Sequence, residues 1–350
     1  MPAETGRRIA VVLFNLGGPD RPASIRPFLL NLFGDPAILR VPFFLRPVLA
    51  RRIAAARLAA ATANYALLGG SSPLLKLTEA QAQALQAALP ELQVKCFVAM
   101  RYWHPLSLEA ARAVKAWDAD EVVLLPLYPQ FSTTTTGSSI AAWQEASVQV
   151  GLTAAVTTLC CYPGAPDFVA ATAAVLRRTW GEAAQRHPGR RRLLFSAHGL
   201  PEAIVRSGDP YQWQVERTVH ALLKSLGDDA IDWTICYQSR ATAQRWLEPS
   251  TDQEIERAAR DGVAVVVVPI AFVSEHVETL VELDVEYRRL AERLGVPGYI
   301  RTPAQNDDPG FIGALAGLVR HACEAGPGLC SHVGGRICPA TFTGCPHRHD

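Results

Sequence analysis

What the sequence lacks narrows its function before any motif is weighed. No window approaches the roughly 18 uninterrupted apolar residues of a membrane span, although 49% of the residues are hydrophobic. Charge of one sign is missing as well: 34 basic against 33 acidic residues leave a net charge of +1, so no nucleic-acid footprint is expected. The first strand-like run, Arg8–Leu16, exits through Gly17-Gly18-Pro19 and not through Gly-x-Gly-x-x-Gly, which argues against a nicotinamide enzyme. Ser196-Ala-His-Gly has no Gly-x-Ser-x-Gly elbow, so a serine hydrolase is not expected. An Ala-x-Ala-like site is absent after the N-terminal apolar run, which therefore reads as a strand and not a signal peptide. A cytoplasmic, reducing compartment follows as the expectation. There the eight cysteines suit metal or cluster binding better than disulfides.

What is present is organised around residues 263–287. Val263–Ile270 is an almost unbroken β-branched run, the pattern of a strand covered on both faces in a parallel sheet. From His276 the period changes. Glu278, Glu282 and Glu286 recur every four residues with an apolar face between them, which on a helix forms one acidic ridge. Such a ridge is either a solvated face or, at the carboxyl end of a buried strand, a conduit that relieves its repulsion with protons or divalent cations. The absence of a basic residue before Arg288, and His276 at the junction, favour the conduit.

The rest of the chain alternates. Strands are expected at Lys95–Met100, Glu121–Leu127, Ala154–Cys160, Leu193–Ser196 and Ile231–Cys236, with helices near Leu77–Leu89, Gln212–Leu226 and Phe311–Cys323. This implies an α/β protein of two doubly wound, Rossmann-like halves with parallel sheets and a cleft between them. The polar stretch Gln185–Arg191 reads as the junction, giving halves 1–185 and 186–325 and a tail 326–350. Val41-Pro-Phe-Phe-Leu45, followed by Arg46, Arg51, Arg52 and Arg57, is either ordinary helix packing or a lip for a greasy substrate or an acidic bilayer. The hydroxyl run Ser132–Ser139 caps a helix or holds an anion at its N-terminus. His198, at a strand end beside Gly199, is a candidate base or ligand.

Seven motifs occur in an order that resembles the ferrochelatases from about residue 8 to 322: Leu13–Pro19, Arg101–Pro105, Pro126–Phe131, Ser196–Pro201, Gly208–Tyr211, Tyr237–Ser239 and Pro269–Glu278. The resemblance implies a chelatase-like fold and insertion of Fe2+ into protoporphyrin IX, the last step of haem synthesis. It implies that His198 accepts a proton or hands over iron, with Glu278 opposite and Glu282 and Glu286 as the onward ridge for metal or protons, on a helix widened in part to π geometry. Arg101, Tyr102, Tyr128, Ser132, His276 and Leu16 become porphyrin-site residues, with Arg101 the partner of a propionate. Some members carry Tyr or Met at the position of Leu16, whose carbon side chain cannot ligate. Contact with the inner membrane is implied as possible, and the chain as a monomer or homodimer. The alternatives are a cobalt or coproporphyrin chelatase, or a non-catalytic haem- or porphyrin-binding protein.

The tail carries Cys330, Cys338 and Cys345 among glycines and prolines, with no core of its own, which suggests ordering by a metal. A subset of ferrochelatases holds a [2Fe–2S] cluster on three C-terminal cysteines and one internal cysteine, and these three match that plan. Thr133 stands near the animal internal position, so Cys161 or Cys160 is the expected substitute. As neighbours on a strand, at most one of them should face the cluster. The rival is zinc, with His332, His347 or His349 as further ligands.

Overall fold

The computed structural model describes residues 6–240 and 244–347, so His349 lies outside the described residues. The chain begins with β1 (Ile9–Asn15), α1 (Ile25–Gly34), α2 (Arg46–Ala66), α3 (Leu74–Ala87), β2 (Val94–Met100), α4 (Ser107–Ala116), β3 (Glu121–Pro126), α5 (Thr136–Val150) and β4 (Ala155–Leu159). It continues through α6 (Pro166–Arg186), β5 (Arg191–His198), α7 (Glu202–Arg206), α8 (Tyr211–Leu226), β6 (Asp232–Gln238), α9 (Thr251–Asp261) and β7 (Ala264–Pro269). A π-helix over Glu278–Tyr287 runs into α10 (Arg288–Arg293), and β8 (Tyr299–Arg301), α11 (Pro309–Ala325) and β9 (Gly328–Cys330) follow.

Two compact units divide this chain. In the first, five parallel strands stand in the order β2-β1-β3-β4-β9. Every residue of β1 is buried, as a strand sandwiched between helical layers requires. Phe14 meets Trp143 of α5 across 6.2 Å beneath that sheet. The second unit holds four parallel strands in the order β6-β5-β7-β8. β7 is buried throughout, and Val265 and Val267 pack with Leu194, Ile255 and Leu283. Each such side chain stabilises the unit by about 1.5–3 kcal/mol on leaving water.

The doubly wound parallel sheets agree with the sequence reading. The boundary does not. The division falls between Cys161 and Tyr162 and not near residue 185, because α6 packs on α8, β7 and β8 of the second sheet. Nor is 326–350 a separate tail: β9 adds a strand to the first sheet, with Leu159 opposite Cys330, while Cys338–Cys345 belongs to the second unit. Gly328–Cys330 is too short to announce a strand by alternation. Pairing with β4 supplies the backbone partners that its own sequence cannot.

Candidate active site and its family

The second unit gathers its titratable groups where strands end. His198 is the last residue of β5, and the π-helix begins nine residues after β7 ends at Pro269. His198 Nε2 lies 3.6 Å from Glu278 Oε1, and His276 Nε2 lies 3.6 Å from Glu278 Oε2, so one carboxylate stands between two imidazoles. His198 Nδ1 is 2.6 Å from the Gly199 carbonyl, which assigns Nδ1 as the donor and leaves Nε2 for Glu278. Burial opposes a charge on His198, but Glu278 and the Gly199 carbonyl outweigh it and raise its pKa to about 9. Burial likewise opposes charge on Glu278, yet the two histidines hold its carboxyl well below the usual range. Phe272 packs against both rings, at 4.6 Å from His276 and 6.5 Å from His198.

Glu282 has a different environment. It accepts from Gln238 Nε2 at 3.0 Å, Ser239 N at 2.8 Å and Tyr287 Oη at 3.2 Å, and from the Ser239 hydroxyl. Gln238 also donates to the Glu278 carbonyl at 3.2 Å, tying the end of β6 to the first turn of the π-helix. Ser239 takes the left-handed φ of 65°, and its two hydrogen bonds to Glu282 hold it there. Burial first, and then the neighbouring Glu278, push the Glu282 carboxyl up. Glu286 is exposed one step further on. The ridge is thus graded: an ionised pair, a half-buried acid saturated with donors, and an exposed acid. Among the described residues no group of three or more His, Cys, Asp or Glu side chains closes on one point as a metal site. The expected metal residues therefore form an open row and not a coordination shell.

In the first unit the expected porphyrin residues centre on an aspartate that the sequence reading passed over. Asp35, with a side chain 2% exposed, accepts from Arg101 Nη2 at 2.8 Å, from Tyr102 Oη at 2.8 Å and from the Ser138 hydroxyl. Arg101 Nε is held by Ser138 at 2.6 Å, and its guanidinium covers the Tyr102 ring. Tyr102 is fully buried, so it supports Arg101 from behind and does not line a substrate surface. Leu16 is half-buried and accepts from Tyr102 N through its carbonyl at 3.0 Å. Ser132 is spent on the turn before α5, bonded to Thr134, and burial pushes the Tyr128 hydroxyl pKa up. Asp35 carried no spacing signal. Gln238 and Ser239 lay inside a quoted motif without a role, because which acid they serve depends on a sheet-to-helix contact.

A ferrochelatase family model matches residues 8–323. The chain belongs to the ferrochelatase family. It is 52% identical over 346 residues to the ferrochelatase of Caulobacter vibrioides, covering 98% of each chain, and 50% identical over 349 residues to that of Hyphomonas neptunium, covering 97% of this chain and 95% of that one. The ferrochelatase of Pelagibacter ubique is 41% identical over 342 residues. Among solved structures, SirB from Bacillus subtilis with Fe3+ shares the fold at a TM-score of 0.52 and 13% identity, covering 90% of this chain and 95% of that one. As a ferrochelatase-family enzyme the chain inserts iron into a porphyrin in haem synthesis. The non-catalytic alternative is thereby set aside.

In this ferrochelatase-family chain Cys160, Cys161, Cys236, Cys330, Cys338 and Cys345 are buried and Cys96 and Cys323 half-buried, and among the described residues no two are joined by a disulfide. In the first unit Cys160 N donates to the Cys330 carbonyl at 2.8 Å, and His332 N donates to the Cys161 carbonyl at 3.2 Å. Cys160 and Cys161 follow the end of β4, so strand alternation does not separate them: their sulfurs are 3.1 Å apart on one side. That removes the reason for which only one was expected to face a ligand. Burial first, and then Cys161, push the Cys330 thiol up to about 11. In the second unit Cys338 accepts from Gln214 Nε2 at 3.2 Å, and Cys345 is buried. Cys96 and Cys236 belong to strands β2 and β6, and burial pushes both thiols up to about 12. Buried soft sulfur donors of this number fit an iron–sulfur cluster in chemistry.

Proposed function

We propose that the chain inserts Fe2+ into protoporphyrin IX, with His198 and Glu278 as the metal- and proton-handling pair. The observation that carries this reading is the single ionised carboxylate between His198 and His276. At neutral pH that pair holds one proton, on His198. A divalent cation arriving there repels that proton and takes its place, since metal ligation requires a neutral imidazole. Glu278 then balances the cation, and once the metal has passed to the ring one pyrrole N–H proton returns to His198 Nε2 while the other leaves along the acidic ridge. Glu282 and Glu286 take protons or a waiting cation on toward solvent. His276 fixes Glu278. Arg101, held by Asp35 and Ser138 on its Nε and Nη2 side, offers Nη1 to a porphyrin propionate. Leu16 and Tyr128 border the ring, Ser132 shapes the turn behind them, and Leu16 offers no metal contact.

The exposed Phe43-Phe44-Leu45 lip draws a hydrophobic ring from a membrane surface, with the chain otherwise in the cytoplasm. Cys330, Cys338 and Cys345, with Cys160 or Cys161, would hold a [2Fe–2S] cluster, which when bound supplies a one-electron redox centre. The deciding experiment is anaerobic incubation with protoporphyrin IX and Fe2+, or Zn2+ as a stable surrogate, following the porphyrin absorption bands. Catalytic conversion that is lost in His198→Ala supports the assignment. Conversion of coproporphyrin alone would replace the ring, and undiminished turnover in His198→Ala would remove His198 from the chemistry.

A further inference from the structure

The Gly208-Asp-Pro-Tyr211 segment joins α7 to α8 and lies against His198 on one side and the chain's C-terminal segment on the other. Tyr211 is buried, and its hydroxyl donates to the His198 main-chain carbonyl at 3.1 Å. Its own N–H donates to Asp209 Oδ1 at 3.0 Å, with Asp209 1% exposed. On the outer side, Gly344 N donates to the Gly208 carbonyl at 3.0 Å, and the Thr343 hydroxyl donates to the Ser207 carbonyl at 3.3 Å. The two backbones meet without room for a side chain: a Cβ on Gly208 would stand 2.8 Å from Thr343 N, and one on Gly344 would stand 3.0 Å from the Gly208 carbonyl oxygen. Gly208 also takes a φ of +94°, so two independent constraints require glycine there. Trp213 packs on Phe342 at 5.9 Å, and Gln214 donates to Cys338 at 3.2 Å.

We propose that Tyr211 is a positioning residue for His198, and that the segment Cys338–Cys345 clasps the turn that carries Tyr211. Order in the C-terminal segment then reaches the metal-handling histidine through three hydrogen bonds to main-chain carbonyls, without electron transfer. This rests on the role proposed above for His198 and deepens it. Cys338 and Cys345 close the two ends of the clasp, so a group that joins them stiffens it.

Tyr211→Phe deletes one donor and keeps the ring. It is expected to lower kcat for Zn2+ insertion about fivefold, the worth of one hydrogen bond, with KM for porphyrin within twofold and Tm little changed. Gly344→Ala is expected to speed amide exchange at residues 338–345 and again at 196–200, with a similar fall in kcat. If that variant does not fold, Thr343→Val takes its place. In the double variant the losses should not multiply, because both act through one path. Wild-type kcat in Tyr211→Phe, fully multiplicative losses, or unchanged exchange at 196–200 in Gly344→Ala would each overturn the proposal. Lack of turnover in the wild-type protein would instead count against the function reading, and the exchange measurement would still judge the clasp.

Discussion

His198 keeps its proton to about pH 9 because a half-buried carboxylate, itself ionised by two histidines, stands 3.6 Å away. A cation that must displace that proton gains affinity as pH rises. The apparent affinity for Zn2+ is expected to increase by up to about tenfold per pH unit from neutrality and to level off near the His198 pKa of about 9. In Glu278→Gln the raising partner is gone, and the levelling point should move down toward ~6.5. A pH-independent metal affinity between 7 and 9 would show that the proton and the cation do not compete. Glu282 supports a different expectation. Its replacement by Ala strands the Gln238 and Ser239 donors, at about 1–3 kcal/mol for each group left buried and unpaired. A lowered denaturation midpoint in urea, with an unchanged slope, would report it. None of this grading was legible from the repeat of glutamates. Three acids at a spacing of four look alike in sequence; their neighbours from β6 make them unlike.

The π-helix over Glu278–Tyr287 is the element that most needs support from outside itself, since its wide i→i+5 turns are seldom stable alone. Arg301, at the end of β8, provides it. Nη1 is 2.7 Å from Glu275, just before His276, and Nη2 is 2.6 Å from Asp284 in the middle of the π-helix. Glu275 also accepts from Ala304 N at 2.9 Å, and both Arg301 and Glu275 are nearly buried. Burial works against the Arg301 charge, but the two carboxylates prevail and hold its pKa above the ordinary arginine value. Arg301→Met would leave Glu275 charged, buried and unpaired, and is expected to cost about 3–5 kcal/mol. Thermal and urea unfolding would measure it, and Arg301→Lys should recover part of the loss by restoring the charge without the fork. The strand-then-acidic-helix pattern was readable from the abrupt change of period at His276. Its π geometry came only from family resemblance, because hydrogen-bond length along a helix leaves no mark on hydrophobic spacing.

At the scale of the whole molecule, two features invite tests away from His198 and Glu278. Among the described residues no helix is long and apolar enough to cross a membrane, yet Phe43, Phe44 and Leu45 are 79%, 64% and 45% exposed beside an arginine-rich helix. Changing all three to Ser is expected to weaken binding to anionic liposomes by about an order of magnitude or more, given ~1.5–3 kcal/mol for each large apolar side chain withdrawn from water. Equal binding would remove the lip's membrane role. The purified protein is further expected to be brown, with the visible absorption of a [2Fe–2S] centre. Cys330→Ser should abolish both the colour and the bound iron, and of Cys160→Ser and Cys161→Ser one should do the same. A colourless wild-type protein containing stoichiometric zinc would favour the zinc site instead.

The sequence by itself determined the parallel α/β architecture, the strands β1 to β7 to within a few residues, and the strand ends that carry His198 and His276. It could do so because burial on both faces forces unbroken apolar runs, and because chain order places a helix after each strand. Tertiary structure alone decided where the units divide, that Gly328–Cys330 joins the first sheet, that Cys160 and Cys161 lie side by side, and that Asp35 lies behind Arg101. Each of these rests on contacts between residues far apart in the chain, where a single carboxylate or a three-residue strand is specified by its partner and not by its neighbours in sequence.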